Sequence, residues 1–187
     1  INIDVMCLDK LLQPDLVLGD SVLGITSEIL QKYQIQGLVL DVDETLVPIH
    51  HSQTSPDIVV WVEKIKSVAS LWLVSNNISQ DRIGRIGDSL DIPYIAGAGK
   101  PSRRKLKKAV DEMNLPVEKV AMVGDRLFTD VLAGNRLGMF TILVEPISHH
   151  GLEFPNYKVR SFEVWISQVL GISLNMTTYH LISHHKK

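Results

Sequence analysis

An apolar run leads directly into acidic residues in the segment Leu38-Val39-Leu40-Asp41-Val42-Asp43-Glu44-Thr45. A short aliphatic run of this kind predicts a buried β-strand. Side chains two positions apart on an extended chain point to the same side, so Asp41 and Asp43 can converge just beyond the strand. Two carboxylates that close repel each other unless a cation neutralises them. Mg²⁺ held by carboxylates and phosphate oxygens would do so.

Two other interpretations of this acidic segment were weighed against a magnesium site. A calcium-binding loop would need glycine at its sixth position and glutamate at its twelfth, where this chain has Leu46 and Ser52. That alternative is therefore excluded. An acidic turn that merely closes the strand stays open on these residues alone.

Further apolar runs alternate with helix-like segments along the chain, and Gly, Pro, Asp or Ser bound them, as is usual for buried strands. The runs are residues 71–74, 92–95, 120–123 and 140–144, and the helix-like segments are residues 57–68, 81–90, 102–114 and 130–137. Ser102 and Asp130 are predicted N-caps, and Gly138 is a predicted C-terminal glycine. Strands alternating with helices predict an α/β fold, a Rossmann-like parallel sheet with helices on both faces.

In such a sheet, ligands bind beyond the carboxyl ends of the strands, and polar residues follow several predicted strands. Ser75-Asn76-Asn77 follows the second strand, although this sequence is also typical of a turn or helix cap. Gly97-Ala98-Gly99-Lys100-Pro101-Ser102 imitates a P-loop. Because Tyr94 stands where the first glycine should be and Pro101 follows the lysine, a nucleotide-binding Walker motif is excluded. Lys100 can still supply a fixed positive charge to a phosphoryl group.

The fourth predicted strand ends in Val123-Gly124-Asp125-Arg126-Leu127-Phe128-Thr129-Asp130. Asp125 stands where the strand ends, and Asp130 stands where the next helix begins. Either residue alone could be an ordinary turn or cap residue. Four consecutive strand ends, however, each carry a polar residue that a phosphoryl-transfer site would use. This joint placement favours a functional site over four unrelated turns.

Composition and charge narrow the class of protein. The chain has 187 residues, with 19 basic and 21 acidic side chains and a formal net charge of −2. This length suits one domain, and 45% hydrophobic residues are typical of a globular protein. The balanced charge excludes a strongly basic nucleic-acid binder, so no nucleic-acid partner is expected. Cys7 is the single cysteine, which excludes an internal disulfide framework.

The four segments together resemble the motifs of the haloacid dehalogenase (HAD) superfamily of phosphatases. The residues that support the resemblance are Asp41-Val42-Asp43-Glu44-Thr45, Ser75, Lys100 and residues 124–130, in matching order and spacing over residues 35–145. Within the superfamily, residues 11–165 resemble the YqeG-like, subclass IIIA branch. That branch is similar to mitochondrial, cyanobacterial and plastid phosphatidylglycerophosphate phosphatases. The predicted phosphatase domain spans residues 35–172, between an N-terminal segment, residues 1–34, and a C-terminal tail, residues 173–187.

The resemblance implies a role for each matched residue. Asp41 would be the nucleophile that forms an aspartyl-phosphate, and Asp43 would be the general acid and base. Mg²⁺ would be held by Asp41, by Asp43 through its backbone carbonyl, and by Asp125, with Asp130 supporting the site. The residues expected to bind the substrate phosphate are Thr45, Ser75, Asn76 and Lys100. No residue departs from the catalytic pattern, so we expect an active enzyme.

The spacing of the motifs bears on the substrate. Neither the interval from Thr45 to Ser75 nor that from Ser75 to Lys100 leaves room for a substantial cap domain, which the superfamily inserts at those places. An open site suits a phosphate presented on something large, such as a lipid headgroup, a protein or a nucleic acid. With the branch resemblance, the expected activity is Mg²⁺-dependent hydrolysis of phosphatidylglycerophosphate to phosphatidylglycerol.

Other functions stay open on the sequence. The same chemistry could act on another soluble or protein-borne phosphate. Receiver domains, which signal without catalysis, also combine a phosphoacceptor aspartate, a hydroxyl and a lysine on a parallel sheet. Asp43, two residues after Asp41, argues against a receiver because it supplies an acid and base for turnover. A membrane-binding scaffold without activity is the third alternative.

Two segments of the chain are candidates for contact with a membrane, and each can also be explained without a membrane. One is a group of cations after the site lysine, made up of Lys100, Arg103, Arg104, Lys105, Lys107 and Lys108. It would attract anionic lipid at about 1 kcal/mol per basic residue, or it is a solvated helix face partly balanced by Asp111 and Glu112. The other is residues 162–172, either an interfacial helix or one that packs on the sheet.

The remaining expectations concern histidines and location. His50 and His51 follow the nucleophile loop and are candidate substrate contacts. We expect a cytoplasmic protein that attaches peripherally to a membrane bearing its anionic lipid substrate, with a mitochondrion or plastid as the alternative location.

Overall fold

The computed structural model describes residues 10–49 and 51–147, and within them six strands form one parallel sheet. The strands are β1 (Leu16–Val17), β2 (Gly37–Leu40), β3 (Ser70–Val74), β4 (Tyr94–Ile95), β5 (Val120–Gly124) and β6 (Phe140–Leu143). Their order across the sheet is β1-β6-β5-β2-β3-β4, and every pair of neighbours is parallel. The α/β prediction is therefore confirmed.

Five α-helices connect the strands. They are α1 (Ser27–Lys32), α2 (Pro56–Lys66), α3 (Gln80–Leu90), α4 (Arg104–Met113) and α5 (Leu132–Leu137). Short 3₁₀ turns occur at Val22–Gly24 and Val117–Lys119, and a π-helical turn at Leu127–Val131 leads into α5. Thr26, Ser55 and Ser79 cap the first three helices, because each side-chain oxygen accepts a backbone N–H of the first turn.

Both faces of the sheet are covered by helices, as the nearly continuous apolar strands require. Leu38 and Leu40 of β2 pack into a core cluster that contains the buried residues of α1, α2 and α3. Val39, between them, packs on the opposite face into a second cluster with α4 and α5. The period-two alternation of β2 thus divides its side chains between two hydrophobic layers.

The sheet also includes residues that the sequence analysis placed before the domain. β1 pairs with β6 through Leu16 and Val17, and its neighbour Asp15 accepts hydrogen bonds from the backbone N–H and the hydroxyl of Thr141, at 2.8 and 3.0 Å. Val22 and Ile25 are fully buried in the larger core cluster. Residues 16–32 therefore fold together with the sheet, whereas residues 148–172 and the predicted tail lie outside the described residues.

Two predicted helix caps differ from the structure, and one agrees. α4 begins after Arg103, so Ser102 is not its N-cap, although its hydroxyl lies 3.5 Å from the Arg104 amide nitrogen. Asp130 lies inside the π-helical turn and does not cap α5. Gly138 ends α5 with a φ of 84°, the left-handed conformation that glycine tolerates best, which confirms the predicted C-terminal glycine.

The connections that could have held a cap domain are short. Among the described residues, the segment between β2 and β3 contains α2, and the segment between β3 and Lys100 contains α3 and β4. The expectation of no substantial cap domain is confirmed. In the same part of the chain, no helix has the length and apolar character needed to cross a bilayer.

Candidate active site

The polar residues predicted from the strand ends meet at the carboxyl edge of the sheet. β2 lies between β3 and β5, and the chain leaves β2 for β3 and β4 on one side before crossing to β5 and β6 on the other. Such a change of direction opens a crevice at the carboxyl ends of the strands. Asp41 after β2, Ser75 after β3, Lys100 after β4 and Asp125 after β5 all follow strands that end there.

Lys100 is the centre of the site. Its ammonium Nζ lies 2.6 Å from Oδ1 of Asp41 and 2.6 Å from Oδ1 of Asp130, and its side chain is 1% exposed. Burial lowers the pKa of Lys100, but the charges of Asp130 and Asp41 outweigh burial and raise the pKa to about 12. The ammonium therefore stays charged and bridges two strand ends.

Asp41 is a buried residue at the start of the predicted nucleophile loop. Burial raises the pKa of Asp41, Lys100 opposes that effect, and the charges of Asp130 and Asp43 add to the rise, which leaves the pKa at about 6. With that pKa, Asp41 is largely ionised at neutral pH. One of its oxygens is held by Lys100, which fixes the orientation of the carboxylate.

Asp125 and Asp130 bring two more carboxylates next to Asp41. Burial raises the pKa of Asp125 well above its usual value, and the charges of Asp41 and Asp130 add to the shift. Gly124 allows the carboxylate of Asp130 to lie against the backbone at the end of β5, since a Cβ at this position would collide with that carboxylate. Oδ2 of Asp130 accepts the Arg126 amide at 3.3 Å, which closes the turn that holds it.

These carboxylates fit a divalent metal ion. Asp41, Asp125 and Asp130 each offer an oxygen, and the three oxygens lie within 4.8 Å of one another. Oδ1 of Asp125 is buried without a hydrogen-bond partner, an arrangement that costs free energy unless something coordinates it. A hard cation with oxygen ligands, such as Mg²⁺, suits this donor set. The predicted ligand from Asp43 is its backbone carbonyl. Its side-chain carboxylate is not one of these three.

The carboxylate of Asp43 is instead held by Arg82, which the sequence analysis missed. Nη1 of Arg82 lies 2.6 Å from Oδ1 of Asp43, and the Ser75 hydroxyl donates to Oδ2 at 3.3 Å. Arg82 also donates to the backbone carbonyls of His51, at 2.9 Å, and Pro48, at 3.4 Å. The guanidinium thereby ties α3 to the loop after β2 and fixes Asp43 beside the nucleophile.

The other predicted phosphate-binding residues lie at the same edge but differ in what their side chains contact. The Asn76 amide donates to the backbone carbonyl of Lys100 at 3.0 Å and accepts the Lys100 N–H at 2.7 Å, so it fixes the lysine loop. The Ser75 hydroxyl also accepts the Asn77 N–H at 3.0 Å. Thr45 is fully buried, and its hydroxyl has no hydrogen-bond partner.

A cavity of about 900 Å³ adjoins the nucleophile loop without containing the carboxylates. Its walls include Leu46, Pro48, Ser55 and Ile147, and His51 lies among them. His51 is therefore next to the site, as a substrate contact would be, while His50 lies outside the described residues.

The group of cations after the site lysine divides into buried and exposed members. Lys100 is buried in the site, and Lys105 donates to the carbonyls of Ala96 and Gly97 at 2.8 and 2.7 Å, which holds the loop before α4. The four exposed members are Arg103, Arg104, Lys107 and Lys108. Of the six cations, four are thus exposed, Lys100 lies in the site, and Lys105 holds a neighbouring loop.

Comparison with known proteins gives matches in one superfamily. A family model described as HAD-hydrolase-like matches residues 97–151. The chain is 36% identical to a "Probable phosphatase YqeG" of Bacillus subtilis over 129 residues, which cover 68% of this chain and 74% of that protein. It is 28% identical to "Phosphatidylglycerophosphate phosphatase 1, chloroplastic" of Chlamydomonas reinhardtii over 80% of this chain but only 59% of that protein.

A solved structure supports the fold independently. An uncharacterized protein from Listeria monocytogenes serotype 4b superimposes with a TM-score of 0.50 and 16% sequence identity, covering 72% of this chain and 99% of that one. At this identity the similarity concerns the fold alone.

Proposed function

The chain belongs to the YqeG-type branch of the HAD phosphatases, and on that premise we propose that it is a Mg²⁺-dependent phosphatidylglycerophosphate phosphatase. The observation on which the proposal chiefly depends is the buried Asp41–Lys100–Asp130 ion pair network at an edge with no cap domain above it. Phosphatase activity follows from the family, whereas the substrate, the metal and the residue roles below are the proposal.

Asp41 is the proposed nucleophile. Its free carboxylate oxygen attacks the phosphorus of the ester, the bond between phosphorus and the alcohol oxygen breaks, and an aspartyl-phosphate forms on Asp41. Lys100 keeps the other oxygen in place, so the attacking group needs no reorientation.

Asp43 is the proposed general acid and base. In the first step it gives its proton to the departing alcohol oxygen. In the second it takes a proton from a water molecule, whose oxygen attacks the phosphorus and releases inorganic phosphate from Asp41. Arg82 holds the Asp43 carboxylate in position for both transfers.

Mg²⁺ would be held by Asp41 and Asp125, with Asp130 next to them and the backbone carbonyl of Asp43 as a further oxygen ligand. When bound, it supplies positive charge that offsets the repulsion between the carboxylates and the transferring phosphoryl group. The charge that spreads over the phosphoryl oxygens is also balanced by Lys100, and the hydroxyls of Thr45 and Ser75 are the proposed hydrogen-bond donors to those oxygens.

The lipid substrate is supported by two arguments. The Chlamydomonas relative is named for phosphatidylglycerophosphate, and 80% of this chain aligns with it. An edge without a cap domain also leaves room for a phosphate that stays attached to a headgroup at a bilayer. The proposed location follows from the substrate, on the cytoplasmic surface of a membrane that contains it.

The test is phosphate release from phosphatidylglycerophosphate in mixed detergent micelles, with and without Mg²⁺. Asp41→Asn is compared with Asp88→Asn, the same chemical change on the exposed face of α3, and an aryl phosphate and glycerol 3-phosphate serve as soluble substrates. We expect Mg²⁺-dependent lipid turnover that Asp41→Asn abolishes and Asp88→Asn leaves unchanged. Turnover of the soluble esters alone would reject the lipid, and turnover without Mg²⁺ after chelation would reject the metal.

A further inference from the structure

Two exposed isoleucines lie on the loops that form the rim of the site. Ile49 is 39% exposed and follows the loop of Asp41 and Asp43, and Ile78 is 85% exposed and lies between Ser75 and α3. Both loops leave the carboxyl ends of parallel strands, so both isoleucines lie at the edge where the substrate must enter.

Ile78 is held outward on an anchored turn. Asn77 accepts the Gly97 N–H through its backbone carbonyl at 2.7 Å, and its side chain accepts the Ser79 N–H at 2.9 Å. A Cβ built on Gly97 would lie 3.7 Å from Cγ2 of Ile78 and 3.7 Å from Nζ of Lys105. The turn after β3 therefore rests on the loop after β4, with Ile78 next to the base of the cationic helix α4.

Single exposed apolar side chains are common on proteins and need no partner. Ile49 and Ile78 differ from such isolated side chains because cationic side chains lie at the same edge of the sheet. α4 follows the loop after β4, so its first turn lies at the same edge. Its exposed cations are Arg104, Lys108 and Lys107, the last paired with Asp111 at 2.7 Å, and the exposed Arg103 directly precedes the helix. Apolar tips beside a cationic face are the combination that binds at the headgroup boundary of an anionic bilayer.

We propose that the carboxyl edge of the sheet is the surface that the protein places against an anionic bilayer. Ile49 and Ile78 enter the boundary between headgroups and acyl chains, and the cations of α4 contact lipid phosphates. This inference rests on the proposed lipid substrate, and it names the face of the molecule that reaches it. In this orientation the open crevice faces the headgroups, so a phosphate on a lipid reaches Asp41 without leaving the membrane surface.

The experiment is co-sedimentation of the full chain with vesicles of phosphatidylcholine, with and without phosphatidylglycerol. Ile49→Ser and Ile78→Ser are combined in one variant. Val68→Ser is the matched control, because Val68 is 51% exposed but precedes β3 at the opposite edge of the sheet. We expect the double variant to bind anionic vesicles about tenfold more weakly or worse, and the control to bind like the unchanged chain.

A second pair of variants tests the charge. We expect Arg104→Gln with Lys108→Gln to weaken binding to anionic vesicles about tenfold and to change binding to pure phosphatidylcholine little. Lys64→Gln, an exposed cation near the end of α2, is the control and should have no effect. Hydrolysis of the soluble aryl phosphate should be unchanged in all these variants, which shows that each is folded.

The outcomes separate this inference from the proposed function. Absence of vesicle binding by the unchanged chain, or equal binding by the isoleucine double variant, overturns the membrane surface even if phosphatidylglycerophosphate is hydrolysed in micelles. Vesicle binding lost in the double variant supports the surface even if only soluble esters are hydrolysed, which would instead overturn the lipid substrate.

Discussion

Two buried carboxylates share one ammonium group at the centre of this molecule, and a third carboxylate lies beside them. Lys100 pairs with Asp41 and Asp130, while Asp125 adds a third negative charge with one oxygen unpartnered. Burying charge without compensation is costly. The arrangement is therefore favourable when a cation is bound and strained when the site holds none, so function and stability oppose each other at these residues.

Asp125→Asn tests that opposition. The change removes a buried charge that burial and its neighbours disfavour, so we expect the metal-free variant to be more stable than the metal-free parent by about 1 kcal/mol or more. Mg²⁺ should raise the melting temperature of the parent and have little effect on the variant, because binding to the native state alone stabilises it. The measurement is thermal unfolding after chelation and after Mg²⁺ is restored.

Two results would contradict this expectation. One is an Asp125→Asn variant that unfolds more easily than the parent without metal. The other is a variant that Mg²⁺ stabilises as much as the parent, which would show that Asp125 does not hold the ion.

Arg82 acts through Asp43, and its substitutions should affect turnover more than binding. Arg82→Lys keeps the charge but loses the planar guanidinium, which donates to Asp43 and to the carbonyls of His51 and Pro48. We therefore expect kcat to fall about tenfold and KM to change little. Arg82→Gln should lower kcat about a hundredfold. Steady-state kinetics on the soluble aryl phosphate measure both.

Arg85→Gln is the control for Arg82, because Arg85 is an exposed arginine on the same helix. Its kcat should equal that of the parent. A fully active Arg82→Gln enzyme would show that Asp43 needs no positioning from α3.

At the scale of elements, the N-terminal strand is held by few but specific contacts. β1 has two residues, and Asp15 just before it shares three hydrogen bonds with Thr141 in β6, two of which its carboxylate accepts. β1 also extends the sheet on the side away from β4, at a distance from the carboxylates. This edge therefore contributes to folding without touching the chemistry.

Asp15→Ala should separate stability from activity. Losing both acceptor contacts to Thr141 should lower the free energy of unfolding by about 1–2 kcal/mol. The kcat at temperatures where the variant is folded should stay at the parent value. Urea unfolding and the aryl phosphate assay provide the two numbers, and unchanged stability would show that β1 is not a structural part of the sheet.

The elements that the sequence predicted well are those with a strong local pattern. β2, β3, β5 and β6 are aliphatic runs, and the polar residues after them follow directly from where the strands end. β1 was missed because two residues are too few for a pattern. Arg82 was missed because an arginine within an amphipathic helix resembles any solvated cation, and its contact with Asp43 joins residues 39 apart in the chain.

At the scale of the whole molecule, the sheet places the chemistry at one edge, and within residues 10–49 and 51–147 no second domain covers that edge. The helices cover the two faces, and the connections at the carboxyl edge are short. Access to Asp41 therefore depends on what approaches the edge, not on closure of a second domain. A phosphoryl group on a lipid can reach such an edge when the edge lies against the bilayer. The proposed substrate and the proposed membrane face are therefore consistent with each other.

The most direct measurement is mass spectrometry of the acid-quenched protein after brief reaction with phosphatidylglycerophosphate and Mg²⁺. We expect one phosphoryl group on the peptide that contains Asp41. With the aryl phosphate, whose leaving group needs little help from a general acid, more should accumulate in Asp43→Asn, because loss of the general base slows hydrolysis of the intermediate. Phosphate release from the lipid without any phosphoryl group on Asp41, or with the group on another residue, would contradict the account.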